Sequence, residues 1–427
     1  MKINKMPEYS EMGQPFDSEI LSPVSPNQAR DRSIFLYTIH DGPVIPRDFY
    51  DAVGPELQFA LDTQFCNERD WGANAVARRL GEKLGLASFS KVNLARCVMD
   101  FGRFPGISPP ESNHLTRHSI NTTLNGLKRP HVRQVLGYYD QISKCLAVQL
   151  EQKMPDEDIS QRELLQLAVH TYDEHNLSGT RRPAVSLIYQ PQSYRDHARL
   201  PSELFDPLFP DQLAEFTCDR TLAYRIASTL ERRYIPAGIN FPYSLPEGSV
   251  ELRSQVWFFF RYLRSRYARY LESHGIEAKK GVLASVWNML LNPNRRDLHS
   301  RLLNAWLHGY KRLPEDSELG AYFQLEEAER IYEDIQKGME ERPEMVNAYR
   351  FAATRPSSLA IEVRKDWLIE GTNTLQGFLP ERIREDKLEE ITDALSEAIC
   401  NYLEFDLCKK KELERESKKI GTWMHRF

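Results

Sequence analysis

The sequence predicts an α/β protein of three layers: a mostly parallel or mixed sheet with helices on both faces, plus an all-helical insertion. Two observations predict it. Short apolar runs rich in β-formers alternate with stretches of helical spacing over 33–250 and again over 345–400. Between them, 251–344 carries helical spacing alone.

The elements follow in order. Residues 1–32 are polar and hold Pro7, Pro15, Pro23 and Pro26, which predicts a loosely ordered, flexible lead-in. Ser33–Ile39 is an apolar β-rich run, and His40-Asp41-Gly42-Pro43 after it is a turn signal. Asp70–Leu84 places Trp71, Ala75, Val76, Leu80 and Leu84 at helical spacing and stops at Gly85. Lys91–Met99 reads as a strand leading into Asp100-Phe101-Gly102-Arg103. Pro130–Gln152 reads as an amphipathic helix, and Leu164–Val169 as a strand ending in His170. Ala184–Tyr189 is a further strand. Ser249–His274, Gly281–Tyr310 and Leu319–Glu341 read as helices. Ser358–Val363 returns to strand, Asp386–Leu407 is helical, and 401–427 is a charged helix end and tail.

Composition narrows the class. Over 427 residues, 56 basic side chains stand against 61 acidic ones, a net charge of −5, which argues against a protein that coats nucleic acid. Hydrophobic residues at 41% and charged ones at 27% fit a globular chain. The cysteines Cys66, Cys97, Cys145, Cys218, Cys400 and Cys408 contain no CxxC and are too few for a disulfide scaffold. They fit a reducing compartment, and the first 20 residues lack an apolar secretion core, so a cytoplasmic location is expected. No apolar run reaches the length of a membrane span; the most apolar stretch, Val256–Phe260, is cut by Arg261.

In a parallel sheet, ligands bind beyond the carboxyl ends of the strands. That rule selects His40, Asp100–Arg103, His170–Asn176 and Glu362–Arg364. A divalent ion such as zinc takes His nitrogen and carboxylate oxygen, so His40 and His170 are candidate metal ligands, with Glu68 or Asp70 as the acidic one. Asp70 also sits where a helix N-cap would. Arg103 could grip a carboxylate through two parallel hydrogen bonds, or pair internally with Asp100. Arg182, fixed beside Pro183, could face the site or pair with Asp173. Glu362 lies inside an apolar strand, so it either pairs with Arg364 or a lysine, or works as a proton acceptor for water. His114 and His118 lie in a stretch rich in Asn, Ser and Thr and read as surface. GxGxxG, Walker, GxSxG and HExxH patterns are absent.

Taken in order, His40-Asp41-Gly42, Glu68-Arg69-Asp70-Trp71, Val98-Met99-Asp100-Phe101-Gly102-Arg103 and His170-Thr171-Tyr172 resemble the motifs of the N-formylglutamate amidohydrolase family. Ile361-Glu362-Val363-Arg364 looks like the glutamate strand of zinc carboxypeptidases, and Asn240-Phe241-Pro242-Tyr243-Ser244 is similar to a family segment near the substrate mouth. The resemblance spans about 33–250 and 345–400. It implies a zinc-exopeptidase-like fold and cleavage of the amide of an N-acyl amino acid. It implies zinc on His40, His170 and Asp70 or Glu68, with Glu362 as the general base that activates water and then protonates the leaving amine. It further implies Arg103, Arg182, Tyr243 and Asn240 as substrate-binding residues. Gly102 stands where the family has asparagine, Ala168 where it has aspartate, and Asp41 where a small residue follows the first histidine. These departures point to an N-acyl amino acid or short peptide other than N-formylglutamate.

Two other classes fit parts of the chain. Arg253, Arg261, Arg264, Arg266 and Arg269 interleave with aromatics over Ser249–Tyr270, as in an anion- or nucleic-acid-binding helix. Aromatics on a core face with arginines on a wet face make the same pattern, and the expectation is that nucleic acid is not a partner. The altered Gly102 and Ala168 also fit a diverged relative that only binds a ligand. The helical insertion is a candidate homo-oligomer contact.

Overall fold

The computed structural model describes residues 3, 5–103, 127–154, 163–176, 178–192, 206–246, 248–275, 277, 280–292, 298–307, 325–374 and 377–424. His114 and His118 lie outside them. The strands are β1 (Glu8–Ser10), β2 (Phe16–Ile20), β3 (Ile34–Thr38), β4 (Val44–Pro46), β5 (Ser88–Val92), β6 (Leu165–Tyr172), β7 (Val185–Ile188), β8 (Ala237–Ile239), β9 (Ser357–Arg364), β10 (Ile369–Thr374) and β11 (Gly377–Ile383). Seven of them form one mixed sheet in the order β2-β5-β3-β6-β9-β7-β8. β5, β3, β6 and β9 run parallel, and β2 and β7 run antiparallel to their neighbours β5 and β9.

The sheet is covered on both faces, which is why its central strands are apolar almost throughout. Along β3, Leu36 and Thr38 face one way: a side chain at Gly81 would meet Leu36, and Thr38 donates to Asn74. That face belongs to the helix Ala73–Leu84, over which the helix Glu385–Asn401 packs. Tyr37 faces the other way and donates its hydroxyl to Glu251 of the helix Val250–His274. Strand pairing puts Gln166, Ala168 and His170 of β6, and Ser358, Ala360 and Glu362 of β9, on that second face. Within it, Ser358 Oγ donates to Gln166 Oε1 at 2.9 Å, and Gln255 Nε2 of the covering helix donates to Ser358 Oγ at 3.1 Å.

Several boundaries differ from expectation for identifiable reasons. Lys91–Met99 is not a strand: β5 ends at Val92, and 96–98 form a turn. Val98 and Met99 are apolar because that turn is buried in the core. β6 runs further than its apolar run, so His170 lies within a strand rather than after it, and Glu362 lies inside β9. Residues 16–20 of the expected lead-in form the sheet's edge strand, with Phe16 buried and its neighbours largely exposed. The helix expected from Asp70 starts at Ala73, after Gly72 in the left-handed region at φ 88°. The span Gly281–Tyr310 holds two helices, Lys280–Leu291 and Leu298–Leu307, the first of them ending before Pro293.

The arginine-rich helix Val250–His274 buries Trp257, Phe258, Phe259, Phe260, Tyr262, Tyr267 and Tyr270. Its arginines do not all line a wet face: Arg253 and Arg261 are buried, and Arg253 donates to the Phe101 carbonyl. Among the described residues, no helix is long and apolar enough to cross a membrane.

Candidate metal centre

Five chain segments converge at the carboxyl end of the central strands. His40 follows β3, Asp70 follows the helix Pro55–Glu68, Asp100 follows the buried turn after β5, and His170 and Glu362 are neighbours across β6 and β9. Gly42 makes the first turn possible, because a side chain there would strike the carbonyl oxygens of Asn93 and Leu94 at 2.6 and 2.4 Å. The Asp70 N–H donates to the His40 carbonyl at 3.0 Å, which ties two of the segments together.

His40, Asp70 and His170 are all buried, and each offers a ligand atom within 4.8 Å of the others. Asp70 Oδ2 lies 2.9 Å from His170 Nδ1 and 3.5 Å from His40 Nδ1. The far nitrogen of His40, Nε2, hydrogen-bonds Asp100 Oδ1 at 2.7 Å. His40 thus spends Nε2 on Asp100 and presents Nδ1 to the side where Asp70 and His170 lie. Two imidazole nitrogens and one carboxylate oxygen make the donor set of an open catalytic site. The group could therefore hold a metal ion.

Asp70 is not a helix cap. Its carboxylate goes to the two histidines and to Arg96, 3.2 Å away, and the cap position is Gly72. The N-terminal turn is served by Asp41, whose Oδ2 accepts from the Asn74 N–H at 2.9 Å while Oδ1 accepts from Arg69 at 2.7 Å. Arg96 also holds Asp100 Oδ2 through Nε and Nη2, at 3.2 and 3.1 Å. One guanidinium thus fixes both carboxylates that touch the histidines. Burial would raise Asp70 and Asp100, but the histidines and Arg96 hold both well below the usual carboxylate range. Burial would lower His170, yet the Asp70 hydrogen bond and the Glu362 charge leave it up at about 9.

Glu362 is buried, and burial raises its carboxyl above the ordinary range against the opposing pull of His170. It does not pair with Arg364, which donates to Asp366 and to the Arg182 carbonyl. Instead the Tyr243 hydroxyl donates to Glu362 Oε1 at 2.6 Å. Lys365 pairs with Asp173 at 3.1 Å.

A cavity of about 530 Å³ opens over these groups; His40, Glu68, Asp70, Arg96, Arg103, His170, Arg182, Tyr243 and Glu362 line it. Its size suits a small molecule or the end of a peptide. Glu68 reaches the cavity but is not one of the three mutually close donors. Arg103 Nε stands 3.8 Å from Asp100 Oδ2. Arg182 stacks over Tyr172 and Tyr243, donates to the Asp173 carbonyl, and has a buried Nε with no hydrogen-bond partner among the described residues. Asn240 has a different task from the expected one. Its Oδ1 accepts the Tyr189 and Gln190 N–H groups, and it does not line the cavity.

No protein-family model matches the chain, and no curated protein matches it. Among solved structures, a gene product of Agrobacterium tumefaciens aligns at 13% identity and a TM-score of 0.40, over 92% of this chain and 95% of that one. An N-formylglutamate amidohydrolase from Ralstonia eutropha JMP134 aligns at 12% identity and a TM-score of 0.35, over 95% and 99%. Likeness at these values assigns neither an activity nor a residue role.

Two features of the site escaped the sequence. Arg96 sits in a turn that reads as apolar strand, and nothing local marks it as the link between two acids. Glu251 lies among aromatics at the start of a helix, yet it is buried at 3% exposure and lines the cavity. A carboxylate so close to a run of apolar residues was the available signal. The departures also acquire physical content. A side chain at Gly102 would stand 2.9 Å from His40 Cε1 and 3.0 Å from Asp100 Oδ1. Ala168 pairs with Ala360 and Tyr37, two residues before His170 on the same face of the sheet.

Proposed function

We propose that this chain is a zinc-dependent amidohydrolase that cleaves the amide of an N-acyl amino acid or short peptide bearing a free carboxylate. One observation carries the reading: a buried His40-Asp70-His170 donor set and a buried Glu362, which no arginine or lysine pairs with among the described residues, line the same cavity. The sequence motifs that resemble amidohydrolases supply the reaction class.

His40 Nδ1, His170 Nδ1 and Asp70 Oδ2 would hold the ion. When bound, a divalent metal supplies Lewis-acid polarisation of the amide carbonyl and acidifies water. Glu362 accepts the proton of the attacking water. Its raised affinity for protons suits it to keep that proton and deliver it to the leaving nitrogen. Tyr243 aims the carboxylate through its hydrogen bond. Arg182, stacked between two tyrosine rings with Nε unspent, takes the substrate carboxylate, with Arg103 beside the Asp100 pair as its second cation.

Elemental analysis with a screen of N-acyl amino acids tests the proposal. About one zinc per chain is expected, lost in His40→Ala with His170→Ala, as three protein donors predict. Glu362→Gln should keep the ion and lose about 10²–10⁴-fold in turnover. Failure to bind any divalent ion, or metal-loaded protein inert toward every N-acyl amino acid and peptide tried, overturns it.

A further inference from the structure

The cavity has a wall that the mechanism above does not use. Ser244, Leu245, Pro246, Ser249 and Glu251 line it. The backbone holds it rigidly: Leu245 N–H donates to the Gln190 carbonyl, and the Gln192 N–H donates to the Leu245 carbonyl. Ser249 is spent as the N-cap of its helix, accepting from the Leu252 N–H. Ser244 is not spent. It is 3% exposed, and its Oγ is buried with no hydrogen-bond partner among the described residues.

Glu251 is equally buried. Its Oε1 accepts from the Tyr37 hydroxyl at 2.8 Å, and its other oxygen takes no hydrogen bond among the described residues. No arginine or lysine pairs with it there. Arg253, two residues on, is committed to the Tyr139 hydroxyl and the Phe101 carbonyl. His170 feels the Glu251 charge, but after those of Asp70 and Glu362. Buried carboxylates are ordinarily paired, because burial strips their hydration and leaves the charge uncompensated. A glutamine would satisfy Tyr37 equally well. An unpaired carboxylate oxygen, with an unbonded hydroxyl that can accept on a second residue lining the same cavity, makes a place for N–H donors carrying positive charge.

We propose that Ser244 and Glu251 form a subsite for an ammonium or guanidinium group on the part of the substrate that the arginines do not hold. The inference rests on the amidohydrolase reading for the word substrate, and on the cavity alone for the binding. It makes the ligand zwitterionic, with a carboxylate toward Arg182 and a cation toward Glu251.

The test reads binding apart from turnover. A Glu362→Gln chain is titrated calorimetrically with N-acetyl-L-lysine, β-alanyl-L-norleucine and neutral N-acetyl-L-norleucine. The two charged probes place the cation on the amino-acid or the acyl side. At least one should bind about tenfold or more tightly than the neutral probe, as a charge-assisted bond predicts. Adding Glu251→Gln should erase that preference while leaving the affinity for N-acetyl-L-norleucine in place. Ser244→Ala, which breaks no bond of the fold, should reduce the preference in part. Equal affinity for all three probes, or a preference that survives Glu251→Gln, overturns the subsite. Hydrolysis of the same probes by the unaltered protein is scored separately. Cation preference without hydrolysis keeps the subsite and removes the amidohydrolase reading; hydrolysis without preference does the reverse.

Discussion

Asp100 grips His40 from outside the His40-Asp70-His170 group: its Oδ1 lies 2.7 Å from Nε2, the ring nitrogen that points away from Asp70. An acid on the far nitrogen fixes the ring's tautomer and orientation and makes the near nitrogen a better donor. Asp100→Ala should therefore weaken zinc affinity by about 10–100-fold, with full stoichiometry recovered at excess metal. Competition against a chelator measures this. Unchanged affinity would show that Asp100 serves only Arg96.

Gly102 is where the smallest change should be felt most. A methyl there meets His40 and Asp100 at 2.9–3.0 Å, inside ordinary contact distance. Gly102→Ala should push the two apart, costing about 1–3 kcal/mol of stability and lowering metal affinity in the same direction as Asp100→Ala. Chelator competition and thermal melting read the two effects. Wild-type affinity in the variant would mean that the loop shifts freely.

Tyr243 stabilises the charged form of Glu362 by donating to it. Loss of that donor leaves burial less opposed, so the Glu362 carboxyl rises further. In Tyr243→Phe, the acid limb of kcat/KM should move to higher pH, and the basic limb should stay. A pH profile with an unmoved acid limb would show that Glu362 is not the group titrating there.

Asp219 tests the fold away from the cavity. It caps the helix Arg220–Arg232 through the Thr221 N–H and also accepts from Lys410 and Tyr402. Burial would raise its carboxyl, but Lys410 and these donors hold it below the ordinary value. A lowered folded-state value contributes stability above the unfolded value, near about 3.9, and loses it as pH falls through the folded one. Asp219→Ala should cost about 1–2 kcal/mol at neutral pH, and the gap from the unaltered protein should close below about pH 4. Denaturant melts at pH 7 and pH 3 give both numbers; a gap that persists at low pH would mean the loss is packing alone.

The strands that matter were legible because both faces of the sheet are covered, so β3, β6, β7 and β9 read as apolar runs. His40, His170 and Glu362 stood out as polar groups at the ends of those runs. What did not show was anything made by contact between distant segments. Asp100 reads as a partner for Arg103, yet its closer ties are to His40 and Arg96. Asp70 reads as a ligand or a cap with nothing local to separate the two, while the capping carboxylate is Asp41, which sequence alone marks only as an unusual neighbour of a histidine. β2 was hidden because an edge strand with one wet face has the polarity of a loop.

The hydrogen bond between Ser358 and Gln166 lies four residues before Glu362 and His170 on the same two strands. It acts as an index mark. A slip of β9 by one residue along β6 would turn Glu362 to the opposite side of the sheet, away from the histidines. The apolar residues around it would tolerate such a slip, since both sides are covered. The amide and hydroxyl would not, because each would be left buried and unmet at about 1–3 kcal/mol. The alignment of Glu362 with its neighbour His170 is thus guarded by a polar contact that lies outside the cavity's donor groups.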